Sequence, residues 1–318
     1  MSNKVTIIGA GMMGAGIGAS SLLAGHETVL MDVNEQSVQA GREACILNIN
    51  QLATAGVVDP AAADAARSLL TTATQLEPAV EGSHLVIEAA TENLQLKQRI
   101  FKELDAITSP EVLLASNTSG LRITDIALET SHPERIATTH FWFPAHLVLL
   151  VEIVLGDKSD PEVGEKLRLI LKKWGKSPVV VKRDVPGQMA NRILQAVIRE
   201  AVNIVASGLA SPEDVDTAIK AGMALRFPVW GPLEHIDGVG LDLALSVQKG
   251  VLPDLNNSRI PNEYLSTLCS EGKLGYKTGS GFYDWKEKNM NQLSACRDTF
   301  IIETVKLLKK LEQQNMCS

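Results

Sequence analysis

The sequence predicts an α/β fold: a doubly wound, mostly parallel sheet followed by an all-helical C-terminal domain. Three observations lead there. Short apolar, strand-like runs alternate with helical stretches as far as Lys182, a glycine-rich turn follows the first run at once, and beyond Asp184 almost every segment has helical periodicity. Strands separated by helices imply βαβ units and parallel pairing.

The strand-like runs are Val5–Ile8, Thr28–Met31, Leu85–Glu88, Val112–Ala115, Ile136–Thr139, Leu147–Leu155 and Val179–Val181. Past Lys182 the period changes. In Met189–Val205, apolar residues recur at Ala190, Ile193, Val197, Ala201 and Ile204, one buried helical face. Ser211-Pro212-Glu213-Asp214 supplies a cap, a Pro at the first helical position and early acids, opening a helix to about Ala221. Another helix opens at Gly231-Pro232, and a last amphipathic helix spans Leu293–Leu311. The domain boundary is placed after Arg183, where Asp184-Val185-Pro186-Gly187 interrupts the pattern, giving domains 1–183 and 184–318.

Composition agrees with this plan. A chain of 318 residues with 45% hydrophobic side chains, 24 Gly and 13 Pro is long enough for two domains and excludes collagen-like or largely disordered structure. With 4% aromatic residues, aliphatic side chains and Ala must fill the core, which suits helices on a parallel sheet. The net charge of −7 gives no general reason to expect nucleic acid or an anionic membrane as partner. No apolar run is long enough to span a bilayer, and the N-terminus lacks a signal-peptide pattern. Cys45, Cys269, Cys296 and Cys317 are widely spaced, so reduced thiols and a cytoplasmic location are expected, with no metal site.

Gly9-Ala10-Gly11-Met12-Met13-Gly14 follows the first strand and precedes a helix. Gly9 permits the tight turn, Gly11 lets the backbone approach a pyrophosphate, and Gly14 allows close helix-to-strand packing. Amides at the helix N-terminus then face the phosphates. Asp32 closes the second strand-like run, at about the 20-residue interval from the turn where a carboxylate meets an adenosine ribose. Val33 and Asn34 offer no cation for a 2′-phosphate, so a Rossmann-type site for NAD, rather than NADP, is expected.

Of six histidines, His140 stands at the end of a strand-like run beside a loop, where open α/β sheets bind ligands. Glu152 interrupts the apolar run Leu147–Leu155, and a buried carboxylate needs a partner. A His140–Glu152 pair could take a proton from a substrate hydroxyl as hydride leaves. A purely structural His–Glu hydrogen bond fits the spacing equally well.

Ser116-Asn117-Thr118-Ser119, His140-Phe141, Leu150-Val151-Glu152, Asp184-Val185-Pro186-Gly187, Asn191-Arg192 and Lys277-Thr278-Gly279-Ser280-Gly281-Phe282-Tyr283 occur here in one order. In that order, and along nearly its whole length, the chain resembles the NAD-dependent L-3-hydroxyacyl-CoA dehydrogenase family. The resemblance implies His140 as catalytic base, Glu152 as its partner, and Ser119 and Asn191 as groups that hydrogen-bond substrate or position the histidine. It further implies Glu92 and Lys97 on the nicotinamide-ribose side of the cofactor, Lys277 as a later cofactor contact, interconversion of 3-hydroxyacyl-CoA and 3-oxoacyl-CoA in fatty acid metabolism, and a homodimer through the helical domain.

Two departures bear on substrate. The family continues His-Phe-x-Asn-Pro, whereas this chain reads His140-Phe141-Trp142-Phe143-Pro144, exchanging an amide for a phenyl ring. Trp142, Phe143 and His146 then form either a stacking pocket or packing around the turn. Between Glu43 and Glu92, where members that use CoA carry basic residues toward its phosphates, Arg67 is the one positive side chain, beside Asp59, Asp64, Glu77, Glu81 and Glu88. Relatives of this fold act on small hydroxy acids such as carnitine, gulonate or pyridine carboxylates, and Ser119-Gly120 leans toward them. A small non-CoA hydroxy acid and a nucleotide-binding protein without turnover are therefore the alternatives.

Overall fold

The computed structural model describes residues 3–314, so Cys317 lies outside the described residues. Eight strands form one sheet: β1 (Lys4–Ile8), β2 (Glu27–Met31), β3 (Leu70–Ala73), β4 (Ser83–Glu88), β5 (Leu113–Ser116), β6 (Ile136–Phe141), β7 (Leu150–Leu155) and β8 (Ser177–Val181). Their spatial order is β3-β2-β1-β4-β5-β6-β7-β8, and every neighbour pair is parallel except β6 with β7. The order reverses between β1 and β4, the crevice in which such sheets bind nucleotides.

Two apolar layers cover the sheet. One joins Val5, Ile7, Leu30, Leu85, Ile87 and Ile153 to α1 (Met12–Leu23), α2 (Glu35–Thr54) and α3 (Pro60–Ser68) through Ile17, Leu22, Ile49 and Ala63. The other sets Ile8, Val29, Val86 and Leu114 against α4 (Leu76–Val80), α5 (Leu94–Ile107) and α6 (Ile123–Ile126) through Val80, Phe101, Leu104 and Ile126. Burial on both faces explains why the central strands read as continuous apolar runs rather than alternating ones. α7 (Pro161–Lys173) starts at Asp160, which accepts from the Glu162 amide, and packs Val163, Leu167 and Leu171 into the first layer.

The strand β3 has no counterpart in the sequence-based reading, because Leu70-Thr71-Thr72-Ala73 carries two exposed threonines on an edge and no sustained apolar run. The strand expected over Leu147–Leu155 begins only at Leu150; the preceding carbonyls instead accept from the Lys176 ammonium, at 2.5 Å from Ala145 and 3.0 Å from Val148. Burial pushes that lysine down to about 7.

Two compact units meet within α8 (Met189–Ala206): the first ends at Asn191 and the second starts at Arg192. This lies beyond the expected division after Arg183. The intervening segment is tied into the first unit, since Asp184 accepts from the Thr124 amide and Gln188 donates to the Thr118 carbonyl. The second unit comprises the rest of α8, α9 (Pro212–Ala218), α10 (Pro232–Val239), α11 (Leu241–Val251), α12 (Glu263–Ser270) and α13 (Met290–Gln313). α9 runs on through a π-helical stretch, Ile219–Met223, and Gly240, at φ +102°, separates α10 from α11. Ser211 caps α9 as expected, accepting from the Asp214 amide.

The nucleotide turn depends on its glycines. A Cβ at Gly9 (φ +99°) would lie 2.6 Å from the Ala89 carbonyl oxygen, and one at Gly14 would lie 1.8 Å from that of Gly9. Gly14→Ala is therefore expected to cost about 1–3 kcal/mol of stability, read from urea unfolding. An unchanged midpoint would show that the turn relaxes freely.

Candidate active site

Strand ends place the chemically active groups. At the end of β1, the α1 N-terminus has no side-chain cap and no acid in its first turn, so its amides stay available to an anion. A Cβ added at Gly11 would meet nothing within 4 Å, leaving room for close approach to the backbone. Met12 is exposed and Met13 half-buried beside it. Asp32, at the end of β2, accepts from the Ala10 amide at 2.8 Å and from the Val33 amide at 2.7 Å. This unites fingerprint and acid, and Asn34 is spent as the α2 cap. These residues fit a dinucleotide: glycine-shaped space, helix amides without a side-chain cap and a carboxylate at the end of the neighbouring strand.

At the ends of β4 and β5 lies an ion pair that the sequence did not single out. Glu88 is fully buried, and its carboxylate accepts from Lys97 Nζ at 2.6 Å, Ser116 Oγ at 2.6 Å and the Ala90 amide at 2.6 Å. Lys97 is 1% exposed; its remaining donors face the Ala90 carbonyl at 3.3 Å and Glu92 at 3.5 Å. Direct contact of Lys97 with a ligand is limited to that small exposure. Glu92 faces outward and accepts from Thr118 Oγ1 at 2.6 Å and from the amides of Ser119 and Gly120. Burial pushes its carboxyl up, but Thr118, the nearby Lys97 charge and the two amides outweigh burial and hold it below the ordinary value.

His140 ends β6 directly opposite Glu152 on β7, and antiparallel pairing brings the side chains together: His140 Nδ1 lies 2.9 Å from Glu152 Oε2. The same oxygen accepts from Trp142 Nε1 at 3.2 Å, while Oε1 accepts from the Ala190 amide at 2.8 Å. Glu152 is completely buried. Burial raises its pKa; the hydrogen bonds from His140, Ala190 and Trp142 outweigh that and hold the carboxyl ionised below its usual range. With Nδ1 fixed on Glu152, His140 has Nε2 left for proton transfer. Asn117 supports this strand end by accepting from the Phe141 amide at 2.8 Å.

Ser119 and Asn191 come together through the backbone: Asn191 Nδ2 donates to the Ser119 carbonyl at 3.3 Å. Of the departing residues, Trp142 is half-buried against the His140 ring, with centroids 5.8 Å apart. His146 turns away to Gln51 of α2 at 2.8 Å, and Phe143 is 48% exposed. Lys277 belongs to the second unit, where it lines a cavity of about 590 Å³ with Tyr276, Phe282, Tyr283 and Trp285. Arg67 is held by Asn50 at 2.7 Å and by Asp64 on α3, and Asp59 caps that helix.

Comparison with known proteins gives two family matches: the NAD binding domain of 3-hydroxyacyl-CoA dehydrogenase over residues 4–185, and its C-terminal domain over 187–285. The chain is 31% identical to a 5-formyl-3-hydroxy-2-methylpyridine 4-carboxylate 5-dehydrogenase of Mesorhizobium japonicum, covering 98% of this chain and 100% of that protein. It is 36% identical to a probable 3-hydroxybutyryl-CoA dehydrogenase of Bacillus subtilis, covering 90% and 98%. Among solved structures, a 5-formyl-3-hydroxy-2-methylpyridine 4-carboxylic acid 5-dehydrogenase, described as an NAD+-dependent dismutase, superposes with TM-score 0.89 at 31% identity over 97% of this chain and 99% of that one. A 3-hydroxybutyryl-CoA dehydrogenase from Ralstonia eutropha gives 0.75 at 33% identity over 90% and 99%.

Lys97→Met would strand the buried Glu88 charge and is expected to cost about 3–5 kcal/mol in urea unfolding. Adding Glu88→Leu should recover part of that loss. If the double variant is no more stable than the single, the pair is not the coupled unit described.

Proposed function

The chain belongs to the 3-hydroxyacyl-CoA dehydrogenase family, and from this premise we propose that it oxidises or forms the secondary alcohol of a small free hydroxy acid rather than of a CoA thioester. Its family makes it an NAD-dependent oxidoreductase acting on a hydroxyl group. One observation carries the choice of substrate. The single cation between Glu43 and Glu92, Arg67, is already committed to Asn50 and Asp64. Arg42 is the next cation along α2. A 3′-phospho-ADP group would find little complementary charge on the α2–α3 arm. The likeness to a pyridine-carboxylate enzyme across almost the whole of both chains points the same way.

In this reading, Gly9 to Gly14 and the α1 amides hold the cofactor pyrophosphate, Asp32 accepts from the adenosine ribose, and Glu92, steadied by Lys97, accepts from the other ribose. When bound, NAD supplies the hydride acceptor for oxidation and the donor for reduction. His140 Nε2 takes the hydroxyl proton while Nδ1–H stays on Glu152, whose charge stabilises the imidazolium that forms. Ser119 and Asn191 orient the substrate oxygen beside it. The burial of Glu152 matters here, because a screened carboxylate would support the imidazolium far less.

A homodimer through the helical unit belongs to the same reading. Among the described residues beyond Asn191, the buried apolar side chains are Val202, Leu268 and Ile302, while Leu209, Leu225, Leu233, Leu241 and Leu245 are exposed. That much open apolar surface suits a second copy. Light scattering at assay concentration should give twice the chain mass of 34.2 kDa, and a monomer would remove the proposal.

Following NADH absorbance across a panel of free hydroxy acids and 3-hydroxybutyryl-CoA tests the substrate. Turnover is expected with a free acid, and activity confined to the CoA ester would overturn the choice. His140→Ala should lower kcat about 10²–10⁴-fold without loss of NADH affinity. Full turnover in that variant would remove His140 as base.

A further inference from the structure

We infer that Trp142 is a positioning residue that sets the working basicity of His140 through the carboxylate they share. The inference rests on the reading of His140 as base. His140 and Trp142 are two residues apart on one extended segment, so both side chains leave the same face, and each donates to Glu152 Oε2, at 2.9 and 3.2 Å. The indole ring also packs on the imidazole at 5.8 Å, tilted by 54°. With the Ala190 amide on Oε1, the buried carboxylate meets three donors.

The consequence follows from charge. Every donor on Glu152 disperses the negative charge that would otherwise stabilise His140 in its protonated form. A second donor on the very oxygen that faces the imidazole therefore weakens the support that Glu152 gives to the protonated ring. Phe or Leu at this position would leave that oxygen to His140 alone. β8 sets Val179 opposite Glu152, and β5 and its loop contribute the neutral Asn117. Lys176 is engaged by the Ala145 and Val148 carbonyls and lies 6.0 Å from the ring of Phe141, on the opposite face of β6. His140 is the Coulombic partner of Glu152.

The test is the pH profile of kcat/KM for alcohol oxidation in Trp142→Phe, which keeps a ring against the imidazole and removes the N–H. The acid limb is expected to move up by about 0.5–1 pH unit, so the variant runs about three- to tenfold slower below the limb and recovers above it. A residue that merely packs would lower the rate at every pH and leave the limb in place. A superposable limb in Trp142→Phe, with His140→Ala inactive, overturns the inference and leaves the base assignment standing; full activity of His140→Ala removes that assignment instead. Should Trp142→Phe not fold, the indole N–H resonance of the native protein decides. It must be protected from exchange and shift in step with the His140 titration, and a resonance that ignores that titration refutes the coupling.

Discussion

The buried carboxylate of Glu152 is the constraint around which the site is organised. An ionised group in an apolar strand is tolerated only when its lone pairs are occupied, and the chain occupies them from three places: His140 near the end of β6, Trp142 just beyond it, and the Ala190 amide at the start of α8. Satisfying one charge thus fixes the antiparallel register of β6 on β7, the rotamer of the imidazole and the entry of α8. It also draws Gln188 to Asn191 into the first unit, which is why the compact unit reaches beyond the Asp184–Gly187 segment.

A second buried charge performs the same service for the cofactor side. Glu88 and Lys97 clamp the end of β4 to the start of α5, and Ser116 brings in the end of β5. Lys97 then reaches Glu92, whose carboxylate gathers Thr118 and the amides of Ser119 and Gly120. The two networks meet at the Thr118–Ser119 turn, where Gln188 and Asn191 also bind. The groups proposed for substrate and for cofactor are therefore held by one connected set of hydrogen bonds, a rigid mounting for groups that must align within fractions of an ångström.

Much of this was legible in the chain order. Strand period, the glycine turn and Asp32 revealed the nucleotide half, because local sterics and helix termini act over a few residues. His140 and Glu152 were legible as candidates since a charge in an apolar run is itself an anomaly. Glu88 presents the same anomaly at the end of Leu85–Glu88, but its partner Lys97 lies in a helix whose exposed and buried charges look alike in sequence. The edge strand β3 left no apolar signature, and the Trp142 indole found its partner in a carboxylate ten residues further on, a contact no local pattern announces.

By itself, the sequence determined the α/β then helical order, the fingerprint turn, the helix caps and the family, all consequences of short-range geometry and of motif order. Tertiary structure alone decided which charges are buried, which donor meets which oxygen of Glu152, that Arg67 is already paired, and how far the first unit extends. Those outcomes depend on which strands become neighbours. A carboxylate's partners are chosen by the distances that folding creates, and residues such as Glu152 and Ala190 acquire a relationship only when the sheet and α8 bring them within 2.8 Å.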